Sequence, residues 1–251
     1  MKLKKKLFAA VAVALCFAMV TPAMAASKTM YVISKIENDG PFFNIVYKMK
    51  YNSGGLLKKY TIGDNGSYNL YHYDNDGKLT RMDIYINGQK DGMYNYYYTD
   101  GVGSRTKYTS GKTVENYKYK WTGKTKCRVT GDYLTPMTFT FDAEGKPAKW
   151  DLIGLIFKFT FDAKGFLTKI VVRDKDTNKL RDKTEYKNTY KSGRLSEIVY
   201  MQDEGYNFVT ITYKKITVPN ETYANLVAKQ QLYILRNQAI GDWSTFFIPA
   251  P

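Results

Sequence analysis

The sequence predicts a mainly β protein, an antiparallel meander of repeated hairpins that forms a curved sheet of one or two layers, with one C-terminal α-helix. Three observations lead to this prediction. Short segments of similar pattern, each containing a tight turn, recur along the 251 residues. The runs between them alternate aromatic residues with lysine or threonine. Turn signals follow one another at intervals of about ten residues, which is typical of an antiparallel meander.

The repeat is clearest in three segments that align without gaps: 73–82, 141–150 and 161–170. Each has an aromatic residue, Asp, two turn residues and Gly, followed by the start of a strand. The Asp side chain can accept hydrogen bonds from backbone N–H groups further along, and Gly supplies the positive φ of a tight turn. Two looser copies, 51–56 and 190–198, are interpreted as having a turn shorter by one residue.

The strands between the turns show a period of two. In the run 117–121, Tyr117, Tyr119 and Trp121 lie on one face, and Lys118 and Lys120 lie on the other. The run 157–161 follows the same pattern. Such strands bury one face and expose the other to water.

The N-terminus predicts export. Four lysines within the first six residues precede an apolar run, 7–20, and Ala23-Met24-Ala25 has the small residues of a cleavage site. We therefore expect a signal peptide over 1–25 and a single domain over 26–251, located outside the cytoplasm as a secreted, periplasmic or cell-surface protein. Removal of the four leader lysines lowers the net charge from +15 to +11. No further segment is apolar and long enough to predict a transmembrane span.

The C-terminal part departs from the hairpin pattern. Asn220 is a suitable N-cap, and apolar residues at helical spacing predict a helix over about 221–239, with Gly241 as its stop. We expect the helix and the apolar tail Phe246–Pro249 to cover an open edge or end of the sheet. Binding of a partner by the tail is the alternative.

The sequence contains few residues suited to nucleophilic or metal chemistry. His72 is the only histidine, and Cys127 is the only cysteine left after cleavage. We interpret His72 as an ordinary strand residue and Cys127 as a buried small apolar side chain, with intermolecular pairing of the thiol as the alternative. We predict no catalytic residue, no metal ligand and no cofactor.

Two acidic patterns in the sequence offer alternatives to this prediction. Oxygen-bearing side chains in 174–185 fall at positions 1, 3, 5, 9 and 12 of a calcium loop, but Lys179 stands where that loop needs Gly, and strands flank the segment. A solvated hairpin tip is the favoured interpretation. Carboxylates suited to glycoside chemistry are available but form no recognisable pair; they are Asp142, Glu144, Asp151, Asp162 and Glu197.

The aromatic-Asp-x-x-Gly units resemble the YD repeats of bacterial RHS-type surface and secreted proteins. The stretch 87–101, with its Asn-Gly and Asp-Gly turns and its run of tyrosines, resembles the variant MORN repeats of bacterial exported proteins. Both resemblances imply an exported β-hairpin protein. Neither implies an activity, a cofactor or a site residue.

The function predicted first is non-catalytic binding of anionic envelope or host glycans through a face of lysine and aromatic side chains. Its expected ligand residues are Tyr96, Tyr98, Tyr117, Tyr119 and Trp121. Nucleic acid would satisfy the same physics, but the export signal argues against it. Three alternatives stay open: the lysines only solvate the surface; the protein is an assembly protein contacting another envelope protein through a sheet edge and the helix; or it is a glycan-active enzyme with a carboxylate pair.

Overall fold

A computed structural model describes residues 27–41, 44–132, 134–143, 146–202 and 205–240. The predicted signal peptide, Gly241 and the tail Phe246–Pro249 lie outside the described residues. The described chain contains sixteen strands and one helix. Their bounds are β1 Lys28–Asp39, β2 Asn44–Tyr51, β3 Leu57–Ile62, β4 Ser67–Tyr73, β5 Leu79–Ile86, β6 Gln89–Thr99, β7 Val102–Ser110, β8 Thr113–Thr122, β9 Lys126–Gly131, β10 Met137–Phe141, β11 Pro147–Leu152, β12 Leu155–Phe161, β13 Leu167–Asp174, β14 Leu180–Lys191, β15 Arg194–Gln202, β16 Gly205–Val218 and α1 Glu221–Ile240.

The strands follow the predicted antiparallel meander, in which each strand pairs with its neighbours in sequence. The predicted open curved sheet is wrong, because β1 also pairs antiparallel with β16 and closes the sheet into a barrel. This pairing runs from Lys28 opposite Val218 to Asp39 opposite Phe208. Local turn and period signals specify each hairpin, but closure depends on the accumulated twist of all the strands.

The inward faces of the strands form the core. In β8, Tyr117 and Tyr119 are buried, while the alternating residues Lys118 and Lys120 are exposed. One core cluster is centred on Ile33, Leu195 and the first and last strands, and the second is centred on Trp150 and the middle strands. Partly buried aromatic rings such as Phe159 contact both clusters. The predicted division of each strand into a buried face and a wet face is therefore confirmed for β8.

The repeated turns have the hydrogen bonds that their sequence predicts. Asp74, Asp142 and Asp162 each accept, through Oδ1, the backbone N–H of the residue four positions further on, at 2.8 to 3.0 Å. Asp74 and Asp162 also accept the N–H two positions on. Gly77 and Gly165 take φ values of 79° and 82°, a region that glycine enters without the steric cost of a Cβ.

One of the two looser copies is misassigned by the sequence pattern. Asn52 takes the place of Asp and accepts the N–H of Leu56 at 2.9 Å, and Gly55 has the positive φ of 83°. The turn glycine is Gly55 rather than Gly54, so this copy has a turn of full length. The copy at 190–198 does have the shorter turn, with positive φ at Ser192 and Gly193.

Aromatic side chains tie adjacent strands together near these turns. Four tyrosines and one tryptophan each donate a hydroxyl or an indole N–H to a backbone carbonyl of the preceding strand, near the end of the pairing between the two strands. The pairs are Tyr51 with Ile33, Tyr73 with Leu57 at 2.9 Å, Tyr98 with Leu79 at 2.7 Å, Trp121 with Gly103 at 3.1 Å, and Tyr213 with Leu195 at 2.8 Å. The rings thus bury apolar surface and also donate a hydrogen bond to a backbone carbonyl.

Helix α1 begins where the sequence predicts. Asn220 caps it by accepting the N–H of Tyr223 at 3.1 Å. The helix covers a gap in the wall, because β2 pairs with β1 only from Lys35 to Asp39 and leaves the first half of β1 without a strand on that side. Gln231 accepts the N–H of Ile33, which confirms the prediction that the helix covers a sheet edge. Among the residues that the structure describes, no helix is both long and apolar enough to cross a membrane.

Candidate binding surface on the outer wall

The five aromatic residues predicted to bind a ligand lie together on neighbouring strands, but they point into the barrel. Tyr96, Tyr117 and Tyr119 are only 6, 8 and 7% exposed and belong to the core cluster of the middle strands. The hydroxyl of Tyr119 donates to Thr106 Oγ1 at 2.9 Å, and burial raises the pKa of Tyr119 to about 12. A ligand approaching the outer wall does not reach these three rings.

Tyr98 and Trp121 are half-buried and have the structural role described for the aromatic donors near the turns. Burial raises the pKa of Tyr98 to about 12, so its hydroxyl stays protonated and keeps its bond to the Leu79 carbonyl. The predicted aromatic ligand set therefore serves the core, and the solvent-facing chemistry of these strands belongs to their other residues.

The outer face of β7, β8 and β9 is strongly basic. Six cationic side chains lie on these three adjacent strands, two on each. We define them as the basic face: Arg105 and Lys107 on β7, Lys118 and Lys120 on β8, and Lys126 and Arg128 on β9. Neighbouring strands are about 4.8 Å apart, and alternate residues along a strand are about 7 Å apart. The cations consequently form a dense two-dimensional array.

Two pairs of cations lie directly opposite each other within this array. Arg105 is paired in register with Lys118, and Lys120 is paired with Arg128. Like charges at directly opposed positions of an antiparallel sheet are destabilising. Within the described part of the chain, no acidic side chain comes within 4 Å of the six cations.

Two of the opposed cation pairs elsewhere on the wall have acidic neighbours. Lys35 and Lys48 lie opposite each other, but Lys35 pairs with Glu37 at 2.8 Å and Lys48 with Asp64 at 3.4 Å. Lys149 lies opposite Lys158 and pairs with Asp151 at 3.0 Å. A further opposed pair, Lys50 with Lys59 on β2 and β3, has no acidic partner among the described residues, and Lys59 lies over the Tyr68 ring. The basic face differs in combining two adjacent opposed pairs without an acid.

An exposed aromatic ring borders the basic face. Tyr97 on β6 is 39% exposed, and its register partner on β7 is Arg105. The guanidinium carbon of Arg105 lies 4.1 Å from the centre of the Tyr97 ring, within cation–π distance. The outer wall thus has the combination of cations and an aromatic ring that the sequence predicted, on different residues.

A second charged cluster surrounds Asp83 on the outer face of β4 to β6. Its carboxylate is only 5% exposed and contacts three basic groups: His72 Nε2 at 2.8 Å, Lys90 Nζ at 2.9 Å and Arg81 Nη2 at 3.3 Å. Burial raises the pKa of Asp83, but hydrogen bonds from Lys90 and His72 and the charge of Arg81 outweigh it, so this pKa lies below its usual value. Asp83 is therefore a carboxylate at neutral pH.

The structure separates the two residues most suited to nucleophilic chemistry. His72 lies on the outer wall in the Asp83 cluster, whereas Cys127 is fully buried in the core cluster of the middle strands. Burial raises the pKa of Cys127 to about 12, which keeps the thiol protonated and unreactive. This agrees with the interpretation of Cys127 as a small apolar core residue.

The segment 174–185 forms the hairpin between β13 and β14. Asp174 Oδ1 accepts the N–H groups of Asp176 and Thr177, and Oδ2 accepts Arg181 at 2.7 Å. The Arg181 bond holds the pKa of Asp174 below its usual range. Both carboxylate oxygens are thus used by the turn itself, as expected for a solvated hairpin tip. Within the described residues, no group of three or more His, Cys, Asp or Glu side chains is arranged to hold a metal ion.

The carboxylates considered for glycoside chemistry have structural partners where the structure describes them in detail. Asp142 and Asp162 cap turns, and Asp151 pairs with Lys149. Glu197 lies on β15 opposite Thr189 and Thr210, and Glu144 lies outside the described residues.

Sequence reasoning missed both the basic face and the Asp83 cluster. The alternation in 117–121 predicts the correct strand, but the ligand residues predicted from it lie on the inward face. The signal for the basic face was present in the same run, in Lys118 and Lys120. No local signal marks the Asp83 cluster, because its four members come from three strands.

No protein-family model and no curated protein sequence matches this chain. Solved structures with similar geometry include porin-like proteins from Bacteroides vulgatus and Bacteroides uniformis. The first has a TM-score of 0.40 and 11% identity over 72% of this chain and 98% of that one. The second has a TM-score of 0.37 and 12% identity over 72% and 96%. TcdB2-TccC3 without its hypervariable C-terminal region matches with a TM-score of 0.29 and 14% identity over 61% of this chain and 10% of that one. These scores are too low to support a functional argument.

Proposed function

We propose that this protein is an exported, non-catalytic binding protein that recognises an anionic polysaccharide of the cell envelope or of a host through the basic face. The observation that carries the proposal is the two adjacent opposed cation pairs, Arg105 with Lys118 and Lys120 with Arg128, without an acidic partner in the described chain. A bound polyanion supplies the missing negative charge.

Repulsion between the cations raises the energy of the free protein. Opposed cations repel each other, and this repulsion is relieved when anionic groups lie between or above them. Exposed charges act over roughly a Debye length, which is about 10 Å at 0.1 M salt. Each of the six cations has at least one other cation of the basic face within this range, so a repeating anion contacts several of them along its length. Tyr97 adds an aromatic surface at the border, against which a sugar ring can pack.

The test is binding of the protein to an immobilised uronic-acid polymer, polygalacturonate, across a salt series, with neutral dextran as the reference polymer. We expect saturable binding to polygalacturonate that weakens steeply with salt. The double variant Arg105→Gln/Lys118→Gln should bind at least about tenfold more weakly, which corresponds to roughly 1.4 kcal/mol.

The matched control is Lys35→Gln/Lys48→Gln. It also removes two directly opposed cations from the outer wall, but these have acidic partners. If binding depends on the basic face, the control retains most of the affinity. An equal loss of affinity in both variants would show that binding depends only on the net charge of the protein. If the unaltered protein binds neither polymer, the proposal is contradicted.

A second candidate function is assembly with another envelope protein. It is favoured by an apolar patch on the outer face of β15 and β16, where Met201, Tyr206 and Phe208 are 60, 61 and 46% exposed. Large exposed apolar side chains on one surface are typical of protein contacts. Failure of polymer binding together with a concentration-dependent change in sedimentation, abolished by Tyr206→Ser, would favour this function.

The proposal includes a relationship between the hairpins of this protein and YD repeats. It is supported by the shared bonding of the turns at Asn52, Asp74, Asp142 and Asp162. It assigns no activity to any residue.

A further inference from the structure

The Asp83 cluster gathers three basic groups around one buried carboxylate. His72 and Arg81 lie opposite each other on β4 and β5, and Lys90 approaches from β6. Their side chains are 40, 43 and 45% exposed, whereas Asp83 is 5% exposed. Two permanent cations surround one anion, so the cluster keeps a net charge of +1 with His72 neutral.

The cluster retains hydrogen-bond donors that Asp83 does not use. A lysine ammonium has three donors and an arginine guanidinium has five, and the contacts to Asp83 occupy only part of them. The side chains of Arg81 and Lys90 are 43 and 45% exposed and converge on the same carboxylate, so they present cationic groups to the solvent from a small area, although Arg81 Nε is itself buried. This is the geometry that binds an oxyanion through charge-assisted hydrogen bonds.

Stability alone gives a weak reason for such a cluster. Burying a carboxylate costs solvation energy, and replacing a buried ion pair with apolar residues is often neutral or stabilising. Tyr68 and Tyr85, on the same face, pack instead by stacking with ring centres 4.4 Å apart, with a single cation, Lys59, over the Tyr68 ring and no buried carboxylate. Arg81, Asp83 and Lys90 therefore suggest a use beyond the fold.

We infer that Arg81, Lys90 and His72, held in place by Asp83, form an oxyanion subsite that takes a carboxylate or phosphate substituent of the bound polysaccharide. The inference rests on the proposed function and names one contact within it. The register connects the two surfaces: Arg81 lies opposite Asn95, which lies opposite Lys107 of the basic face. Two strand spacings, about 10 Å, separate the subsite from that face. Asp83 is a positioning residue, since it acts through the three basic groups.

The single histidine makes the subsite directly observable. In the untagged protein, the imidazole of His72 gives one set of NMR signals. Titration with inorganic phosphate and, separately, with glucuronate should shift these signals saturably. The ligand that saturates at the lower concentration identifies which oxyanion the subsite prefers. Lys90→Gln should weaken the binding about tenfold, because it removes a charge-assisted donor.

The variant Asp83→Asn distinguishes a positioning role of Asp83 from an effect of the net charge of the cluster on anion binding. The substitution raises the net charge of the cluster by one, so a purely electrostatic attraction would tighten anion binding. If Asp83 positions the donors, binding weakens despite the added charge. Tighter binding, or no saturable shift with either anion in the unaltered protein, would overturn the inference. If Asp83→Asn does not fold, the inference is tested by Lys90→Gln alone, because Lys90 is exposed and its substitution leaves the fold intact.

The outcomes distinguish this inference from the proposed function. Arg105→Gln/Lys118→Gln should lose polygalacturonate binding but keep the phosphate or glucuronate shift of His72. Lys90→Gln should show the reverse, with the small-anion shift weakened and most of the polymer affinity retained. If the unaltered protein does not bind the polymer but its His72 signals shift saturably with a small anion, only the proposed function is contradicted.

Discussion

The side-chain oxygen of Gln231 accepts the backbone N–H of Ile33 at 2.7 Å, across 198 residues of sequence. Its neighbour Gln230 accepts the N–H of Leu57, also at 2.7 Å, and donates to the Tyr73 hydroxyl at 2.6 Å. Two adjacent helix residues thus bind both sides of the gap between β1 and β3. Each is 8% exposed, so water cannot readily replace these bonds.

We expect Gln230→Ala/Gln231→Ala to lower the free energy of unfolding by several kcal/mol, since each buried donor left without a partner costs roughly 1–3 kcal/mol. Hydrogen exchange should accelerate first at Ile33 and Leu57. The control is Lys229→Ala, on the exposed side of the same helix. Unchanged exchange at both amides would show that the helix does not hold this gap.

Tyr73→Phe tests the aromatic donors near the turns. The hydroxyl bonds both the Leu57 carbonyl and Gln230. Removing it should lower the free energy of unfolding by roughly 1–3 kcal/mol in urea denaturation. Tyr97→Phe, at an exposed ring of the outer wall, should change stability by less than about 0.5 kcal/mol. Equal effects of the two substitutions would show that the carbonyl contact contributes nothing.

Lys118→Thr should stabilise the protein while weakening polymer binding. The substitution removes the repulsion with Arg105 directly opposite, and threonine is well suited to a strand. A gain of up to about 1 kcal/mol is expected at low salt, with a smaller gain at high salt. Lys48→Thr, which removes the partner of Asp64, should give no such gain. Destabilisation by Lys118→Thr would show that the opposed cations are not repelling each other.

Asp162 provides a test by pH. Burial raises the pKa of its carboxyl, but hydrogen bonds from Tyr190, Phe166, Asn188 and Lys164 outweigh burial and hold the pKa below its usual value. A depressed pKa in the folded state stabilises the protein above the unfolded value of about 3.9, and this contribution is lost as pH falls through the folded value.

Asp162→Asn should therefore lower the free energy of unfolding by roughly 1–3 kcal/mol at pH 7. The difference from the unaltered protein should shrink as pH decreases below about 4. Urea denaturation at pH 7 and pH 3 measures both values, and Asp100→Asn at an exposed turn tip is the control. A difference that stays constant between the two pH values would contradict the role of the charge.

The sequence by itself determined the local structure of this protein. The Asp-x-x-Gly pattern specified the turns at Asp74 and Asp162, because side-chain bonding to the backbone and a glycine φ are local properties. Asn220 specified the start of the helix for the same reason. The alternation in β8 separated the aromatic side chains from Lys118 and Lys120. At 51–57 the pattern failed by one residue, since two consecutive glycines fit the turn equally well in sequence and only Gly55 has a positive φ.

Only the tertiary structure decided the rest. Closure of the barrel depends on β1 meeting β16, which no local signal encodes. Alternation shows that a strand has two different faces, but the burial of Tyr117 and Tyr119 follows from packing against other strands, because removing large apolar rings from water outweighs their use at a surface. The cations of β7, β8 and β9 form one basic face only through strand register. Asp83 obtains His72 and Lys90 in the same way, from the two neighbouring strands, whereas Arg81 lies on its own strand.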